Sequence, residues 1–455
     1  MGNGTKKVVT RMAPSPTGFF HLGSARTTLF NFLYAKHYGG KFILRIEDTD
    51  RERSRKEYEE SIFDGIKWMG LSYDECYRQS ERTDIYKSYL TKLIENGKAY
   101  VSKERAEEGK RSEVIRLKNS GQTVSFRDEI RGDISFDTSE LGDFVIAKSV
   151  SEPLYHLAVV VDDFESGITH VIRGEDHISN TPRQILIAEA IGAPRPIYAH
   201  LPLILAADRS KLSKRHGALA LSEYREMGYI PEAMVNFLAL LGWSPQGKNA
   251  DDQEIFFLDD LVKKFDLDKI GKSGAVFNIE KLDWINKEHL KKLSAEKLED
   301  YILKALPSRL YGLPGWNKER FLKVIPILTE RIVKFSDITE MSEAGELDFF
   351  FKTPEYEIKN LIWGKDSDGK IIRGALDGLV EALKNIPESS FTRGNIKDAV
   401  MAFVGEKDRG SILWPMRYGL SGLIKSPDPF VIASIIGKEE TLQRMETVLK
   451  RLKKN

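Results

Sequence analysis

The chain has 455 residues, 41% of them hydrophobic and 30% charged, which is material for roughly two to four cored, water-soluble domains. Lysine plus arginine (69) nearly cancels aspartate plus glutamate (68), so bulk charge gives no sign of a nucleic-acid partner, although a local basic face suffices for one. Cys76 is the single cysteine; this excludes an intrachain disulfide and a cysteine-rich zinc site and fits a reducing, cytoplasmic compartment. No apolar run reaches bilayer length, and no apolar segment follows the basic residues at 1–7, so neither a membrane span nor a secretory leader is expected.

Residues 8–11 are short and β-branched, predicting a first strand that Pro14 and Pro16 stop. Leu22, Ala25, Leu29 and Leu33 fall three or four apart and predict a helix from Gly23, closed by Gly39-Gly40. Residues 42–46 read as a second strand, followed by Glu47-Asp48-Thr49-Asp50 and a helix with Tyr58, Ile62, Ile66 and Met69 on one face. This alternation predicts an α/β fold with a parallel sheet and right-handed crossovers. Residues 96–143 are charged and turn-rich and predict an α+β insertion. The parallel pattern is expected to return as strands at 156–161 and 171–172, a helix at 181–191 and a strand at 201–205. From Pro231 onward the period is helical; Pro307, Gly312, Pro314 and Gly315 mark 306–316 as a hinge, and further helices are expected over 321–335 and 439–453.

Two segments carry chemistry. The first, Pro14-Ser15-Pro16-Thr17-Gly18-Phe19-Phe20-His21-Leu22-Gly23-Ser24, runs from a strand end into a helix N-terminus, where free amides and the helix dipole favour a phosphate. His21 can donate to a phosphate oxygen, and Gly18 and Gly23 let a ligand approach the backbone. The second, Lys211-Leu212-Ser213-Lys214-Arg215, places two ammonium groups on a loop after a strand, a clamp for a triphosphate whose charge grows in the transition state. Arg11 and Arg173 sit at predicted strand ends, where open α/β sheets bind ligands, and their forks match a carboxylate. Glu47 can hold an ammonium, and Tyr155 can add a hydroxyl. Taken singly, each of these has a bland alternative: a satisfied loop histidine, a solvated basic turn, a structural ion pair. A Walker-type phosphate loop, a dinucleotide fingerprint and a His-Glu-x-x-His metal motif are all missing from the sequence.

Together the segments resemble the class I aminoacyl-tRNA synthetases, and closely the bacterial-type glutamyl-tRNA synthetases. Further matches are Arg45-Ile46-Glu47-Asp48-Thr49-Asp50, Tyr155-His156-Leu157, Val160-Val161-Asp162-Asp163 and Val171-Ile172-Arg173-Gly174-Glu175-Asp176-His177. The resemblance implies a Rossmann-like doubly wound catalytic domain (1–95 and 151–220) split by an acceptor-binding α+β insertion (96–150). A stem-contact helical domain (221–312) and an all-helical anticodon-binding domain (313–455) follow. It implies ATP-dependent ligation of L-glutamate to tRNA(Glu), with Mg²⁺ accompanying ATP. ATP would be held by His21, Gly23, Ser24, Lys211, Ser213 and Lys214, with His21, Lys211 and Lys214 catalytic. Glutamate would be held by Arg11, Ser15, Glu47, Tyr155 and Arg173, and Asp50 would lie near the tRNA terminal adenosine. A monomer is implied as well.

Two departures qualify the match. Only residues 101–113 separate Tyr100 from Val114, where the family usually has a longer stretch, sometimes with zinc-binding cysteines; a trimmed, zinc-free insertion is expected. Many glutamate-specific members also use an anticodon-domain arginine against the glutamine tRNA, and the matching place here carries Asp348 before Phe349-Phe350-Phe351. Altered tRNA choice, with tRNA(Gln) charged as well or instead, is therefore expected. The rival readings are an adenylating nucleotidyl transferase that uses no tRNA and a catalytically silent tRNA-binding paralogue.

Overall fold

The computed structural model describes residues 7–104, 113–212, 219–245, 253–355, 357–362 and 370–454. They form two compact units, Met1–His289 and Leu290–Asn455.

In the first unit, β1 (Val9–Met12), β2 (Lys41–Ile46) and β3 (Glu75–Arg78) pair in parallel. Helices α1 (Leu22–His37) and α2 (Lys56–Trp68) make the crossovers. The expected stop at Gly39-Gly40 has a steric cause. A Cβ at Gly40 would lie 2.1 Å from the Val8 carbonyl oxygen, so only glycine lets β2 start against β1. β2 is buried at every position after Lys41, as expected of a central parallel strand; Arg45 inside it is therefore exceptional.

Helix α3 (Thr83–Glu95) leads into antiparallel strands: β4 (Ala99–Lys103), β5 (Glu113–Leu117), β6 (Thr123–Asp128), β7 (Gly132–Asp137), β8 (Phe144–Ser149) and β9 (Glu152–Pro153). Strands β4, β5, β8 and β9 form one sheet in that order. Tyr86, Leu90, Ile115, Ile146, Leu157, Val161 and Ile187, each at most 2% exposed, share one core. The inserted strands thus share a core with the nucleotide fold.

The strand expected at 156–161 is instead helix α4 (Tyr155–Glu165). A continuous apolar run reads alike for a buried strand and a buried helix; here every residue from Leu157 to Asp162 is buried. Next come β10 (His170–Gly174), α5 (Thr181–Ile191) and β11 (Ile197–Leu201). The strand expected at 201–205 is displaced: Pro202 lies just beyond β11, and β12 (Ile204–Leu205) pairs instead with β13 (Ala275–Val276). Strand β10 pairs with β11, and β11 with the edge of the β6–β7 hairpin. The Thr169 amide, just before β10, donates to the Val9 carbonyl at 3.0 Å, so β1 and β10 adjoin. Strand order reverses across that junction, and the carboxyl ends there open a crevice suited to a ligand.

Helices α6 (Leu221–Glu226), α7 (Pro231–Leu240), α8 (Leu258–Lys264) and α9 (Ile279–Leu290) complete the unit. The second unit is helical throughout its described residues: α10 (Ala295–Ala305), α11 (Ser308–Tyr311), α12 (Lys318–Arg331), α13 (Ser336–Glu343), α14 (Lys370–Lys384), α15 (Arg393–Val404), α16 (Gly410–Ser421), α17 (Pro429–Ile436) and α18 (Lys438–Lys454). The stretch 306–316 lies inside it and contains α11. Ser294, Asn317, Thr392 and Asp428 cap helices by accepting first-turn amides. Among the described residues, no helix is long and apolar enough to cross a membrane.

Candidate functional site

The segment just beyond the second signature meets the first through the backbone. His21 and Ala220 form an antiparallel bridge, and the Leu221 amide donates to the Phe20 carbonyl at 2.8 Å. At the other end of the second segment, Lys211 bridges to Leu205 of β12. Lys211 thus lies beside β12 and Ala220 beside His21. Ser213 and Lys214 lie outside the described residues.

His21 immediately precedes α1. Its Nδ1 accepts the Gly23 amide at 3.1 Å and the Ser24 amide at 3.4 Å, so the ring nitrogen facing the helix is bare and Nε2 carries the proton. Two amides expected to stand open for a phosphate are thus turned toward the imidazole. Gly23 makes this possible, since a Cβ there would sit 3.2 Å from the ring. Ser24 Oγ lies 3.3 Å from Nε2. Desolvation lowers the pKa of His21, Lys211 adds repulsion, and Asp176 opposes both. Lys211 Nζ stands 3.5 Å from Asp176 Oδ2, and both side chains are largely exposed.

Behind this face lies a buried charge cluster. Arg45 is fully buried; its Nη1 donates to Asp163 Oδ1 at 2.6 Å and its Nη2 to Glu47 Oε1 at 3.0 Å. Arg11 donates to both oxygens of the same Asp163, at 3.1 and 3.3 Å. Burial opposes the charged form of Asp163, but Arg11 and Arg45 prevail and hold its pKa below the usual carboxylate range. For Glu47 burial prevails over Arg45 and Arg11, and its pKa is raised. The neighbouring Asp162, whose Oδ2 lies 3.9 Å from Arg45 Nε, takes its hydrogen bonds from other donors. It accepts from Gln79, Arg82 and Tyr86 at 2.7–2.8 Å and ties α4 to the 79–86 segment.

Arg173, at 6% exposure, is the third guanidinium. Its partners are all neutral: Nε donates to His200 Nε2 at 3.2 Å, Nη1 to Gln184 Oε1 at 2.7 Å and Nη2 to Thr181 Oγ1 at 2.7 Å. Burial lowers its pKa. Among the described residues no carboxylate pairs with it, an expensive state for a buried cation. Tyr155 opens α4; burial raises its pKa, and the charge of Glu47 adds to this while Arg173 and Arg11 oppose it. Its hydroxyl lies 3.3 Å from His177 Nδ1. Of the three guanidiniums, Arg11 and Arg45 pair with carboxylates (Asp163, Glu47 and, 3.9 Å from Arg45 Nε, Asp162), whereas Arg173 pairs with none among the described residues.

Among the described residues, the remaining expected ones make no side-chain hydrogen bond or ion pair to this cluster. Ser15 is exposed on the β1–α1 loop. Asp50 is engaged by Arg53, whose Nε donates to it at 2.7 Å and whose hydrogen bonds lower its pKa. Asp348, in the second unit, is 9% exposed, and Arg309 holds both its oxygens at 2.7 Å. The structure adds Arg45, Asp163, His200 and Asp128, to which sequence reasoning gave no role. The first two were findable, being charged residues inside apolar runs.

The site also sets a pH response. His156 and His177 are pushed down to about 4, chiefly by burial, with nearby arginines adding repulsion. In the unfolded chain each takes a proton near pH ~6.5. Their contribution is therefore complete above that pH and is lost as pH falls toward the folded value, by at most about 1.4 kcal/mol per pH unit per histidine. Urea unfolding at pH 7.5 and pH 5 is expected to show this loss, and His177→Asn to reduce it; a variant with the wild-type pH dependence would exclude His177 as a cause.

Comparison with known proteins identifies the family. The family model for class I tRNA synthetases (E and Q), catalytic domain, matches residues 7–113 and 102–284, and the anticodon binding domain model matches 288–449. Glutamate–tRNA ligase 1 of Caldanaerobacter subterraneus subsp. tengcongensis is 40% identical over 99% of both chains. The glutamate–tRNA ligase of Aquifex aeolicus is 41% identical over 98% of this chain and 99% of its own. A crystal structure of a glutamate tRNA ligase from Elizabethkingia meningosepticum, in complex with its amino acid, superposes with a TM-score of 0.86 at 33% identity, covering 98% of this chain and all of the other. With a catalytic model and an anticodon model together spanning nearly all of it, the chain belongs to the glutamate–tRNA ligase family of class I aminoacyl-tRNA synthetases.

Proposed function

We propose that this chain uses ATP to ligate L-glutamate to tRNA(Glu) through a glutamyl-adenylate. The observation that supports the reading is the backbone bridge between His21 and Ala220, five residues past the second signature; in this reading the two signatures flank one nucleotide. Arg173 supports the amino acid. Glutamate brings a second carboxylate that can pair with Arg173, which has no carboxylate partner among the described residues; glutamine has one carboxylate fewer to offer.

The glutamate α-carboxylate attacks the α-phosphorus in line, and pyrophosphate leaves with the electron pair of the broken P–O bond. No base is needed, because the carboxylate is already ionised. The terminal ribose hydroxyl of tRNA then attacks the acyl carbon, AMP departs, and the hydroxyl proton is released. In this reading His21, Gly23, Ser24, Lys211, Ser213 and Lys214 hold ATP, which arrives with Mg²⁺. His21 offers its Nε2 proton to a phosphate oxygen, and the lysines balance charge growing on the leaving pyrophosphate. Arg173 and Arg11 take the substrate carboxylates, with Ser15 and Tyr155 beside them. Glu47 takes the ammonium, and Asp50 lies toward the terminal adenosine. Residues 96–150 would contact the acceptor end, 221–312 the stem and 313–455 the anticodon, in a cytoplasmic monomer.

The test is tRNA-dependent ATP–pyrophosphate exchange. Glutamate is expected to support it and glutamine not to. Lys214→Ala is expected to slow it by about two orders of magnitude, or ~3 kcal/mol. Near-normal exchange in that variant would refute the assignment.

The reading extends to altered tRNA choice. Asp348 stands where an arginine is expected, and its bidentate partner Arg309 is already engaged by it. Charging assays with purified tRNA(Glu) and tRNA(Gln) decide this; strict rejection of tRNA(Gln) defeats it.

A further inference from the structure

We infer that His200, oriented by Asp128, is a positioning residue that aims the Arg173 guanidinium at the substrate carboxylate; the inference rests on the assignment of Arg173 to the substrate made above. His200 and Arg173 are cross-strand partners in the β10–β11 pairing, so their side chains leave the sheet on one face. His200 Nδ1 lies 2.6 Å from Asp128 Oδ2. An ionised carboxylate only accepts, so Nδ1 bears the proton and Nε2 is a bare lone pair. That lone pair accepts the Arg173 Nε hydrogen at 3.2 Å.

Asp128 is itself fixed by the chain. Its Oδ1 accepts the amides of Ile130 and Arg131 at 3.0 and 2.8 Å, and its Oδ2 accepts the His200 amide at 3.0 Å. His200 and Asp128 are 0% and 1% exposed. Burial lowers the His200 pKa against the opposing pull of Asp128, and hydrogen bonds from His200 and Arg131 keep Asp128 low despite its burial. Both directions agree with a neutral ring beside an ionised aspartate.

The arrangement keeps a carboxylate one imidazole away from the arginine. A carboxylate in direct contact with Arg173 would compete with the substrate for it. A neutral acceptor fixes the guanidinium plane and leaves its charge for the ligand. Gln184 and Thr181, on α5, hold Nη1 and Nη2, and His200 supplies the remaining restraint at Nε. The competing explanation is packing, since the His200 ring stacks on Tyr198 with an interplanar angle of 12° and also lies near Phe126.

Two substitutions separate these roles. His200→Asn keeps a donor for Asp128 near the Nδ1 position but removes the acceptor for Arg173. His200→Gln can place its carbonyl oxygen near the Nε2 position. In tRNA-dependent pyrophosphate exchange, His200→Asn is expected to raise the KM for glutamate about tenfold or more, the size of a lost hydrogen bond to a charged group. Its KM for ATP should stay within about twofold, and His200→Gln should recover most of the loss. Equal losses in both variants, an unchanged KM for glutamate, or a parallel rise in the KM for ATP overturns the inference. Arg173→Ala distinguishes the two levels: if it leaves the KM for glutamate unchanged, the substrate assignment itself fails. If it raises that KM while His200→Asn does not, only the positioning role fails. Should neither His200 variant fold, nitrogen-15 shifts of histidine-labelled wild-type protein read the tautomer directly, and an Nε2–H ring at His200 overturns the inference.

Discussion

Arg45→Met is expected to lower the unfolding free energy of the first unit by about 3–5 kcal/mol, the range for removing one partner from a buried ionic network. Methionine is long enough to fill most of the space, so the loss would report charge rather than a cavity. Arg45 is fully buried and divides its hydrogen bonds between Glu47 and Asp163. Without it, Asp163 keeps Arg11, whereas Glu47 is left in a site where burial already raises its pKa. The pH dependence has a definite sign. A carboxylate whose folded pKa is raised contributes stability below its unfolded pKa and loses it as pH rises through the folded value. Losing Arg45 raises the folded pKa of Glu47 further, so the defect should be larger at pH 8 than at pH 5. Adding Glu47→Gln to the variant should recover part of the loss at pH 8. Urea titrations at the two pH values measure all of this. A defect under about 1 kcal/mol, equal at both, would mean that the cluster is solvated.

How much of this molecule was legible beforehand depends on whether the signal was local. The β1–α1–β2–α2 succession could be read because its punctuation is steric: Pro14 and Pro16 end one element, and Gly40 is forced by the Val8 carbonyl. Helix α4 reads as a strand from its sequence because Leu157 to Val161 is apolar without a break, so neither period stands out. The displaced strand near 201–205 turned on Pro202 and on a partner, Ala275–Val276, some seventy residues away, which no local window contains.

The site divides in the same way. Arg11, Glu47, Tyr155 and Arg173 were named because strand ends and motif spacing point to them. The contacts of Arg11 and Arg45 with Asp163 join residues 152 and 118 positions apart, on β1, β2 and α4, so no short stretch of sequence shows them. His200 and Asp128 carry no motif, are separated by 72 positions, and meet only through the pairing of β11 with β6. The expected open amides at Gly23 and Ser24 illustrate the converse. The helix N-terminus was correctly placed, yet its first partner is the side chain of His21, a competition between ligand and cap that sequence spacing cannot express.

Arg173→Ala should reduce kcat/KM for glutamate in pyrophosphate exchange by about two to three orders of magnitude, or ~3–4 kcal/mol, as for truncating one member of a buried charge pair. The reasoning starts from an asymmetry. Arg11 and Arg45 already have carboxylates, whereas every described partner of Arg173 is neutral. The substrate would therefore supply the missing anion, and the free enzyme carries the cost of an unpaired cation to receive it. Removing Arg173 also removes the one guanidinium of the three that lacks a carboxylate among the described residues, so the preference for glutamate over glutamine should shrink along with the rate. Arg173→Lys restores the charge but offers a point rather than a fork and cannot reach His200, Gln184 and Thr181 together; it should fall between wild type and alanine. The stability effect should be small by comparison, because the desolvation relieved offsets the hydrogen bonds lost at His200, Gln184 and Thr181. Measured kcat/KM for both amino acids, with melting temperatures alongside, tests each step. A variant that melts far below wild type yet keeps its selectivity would make Arg173 a structural arginine and return the anion-binding role to Arg11.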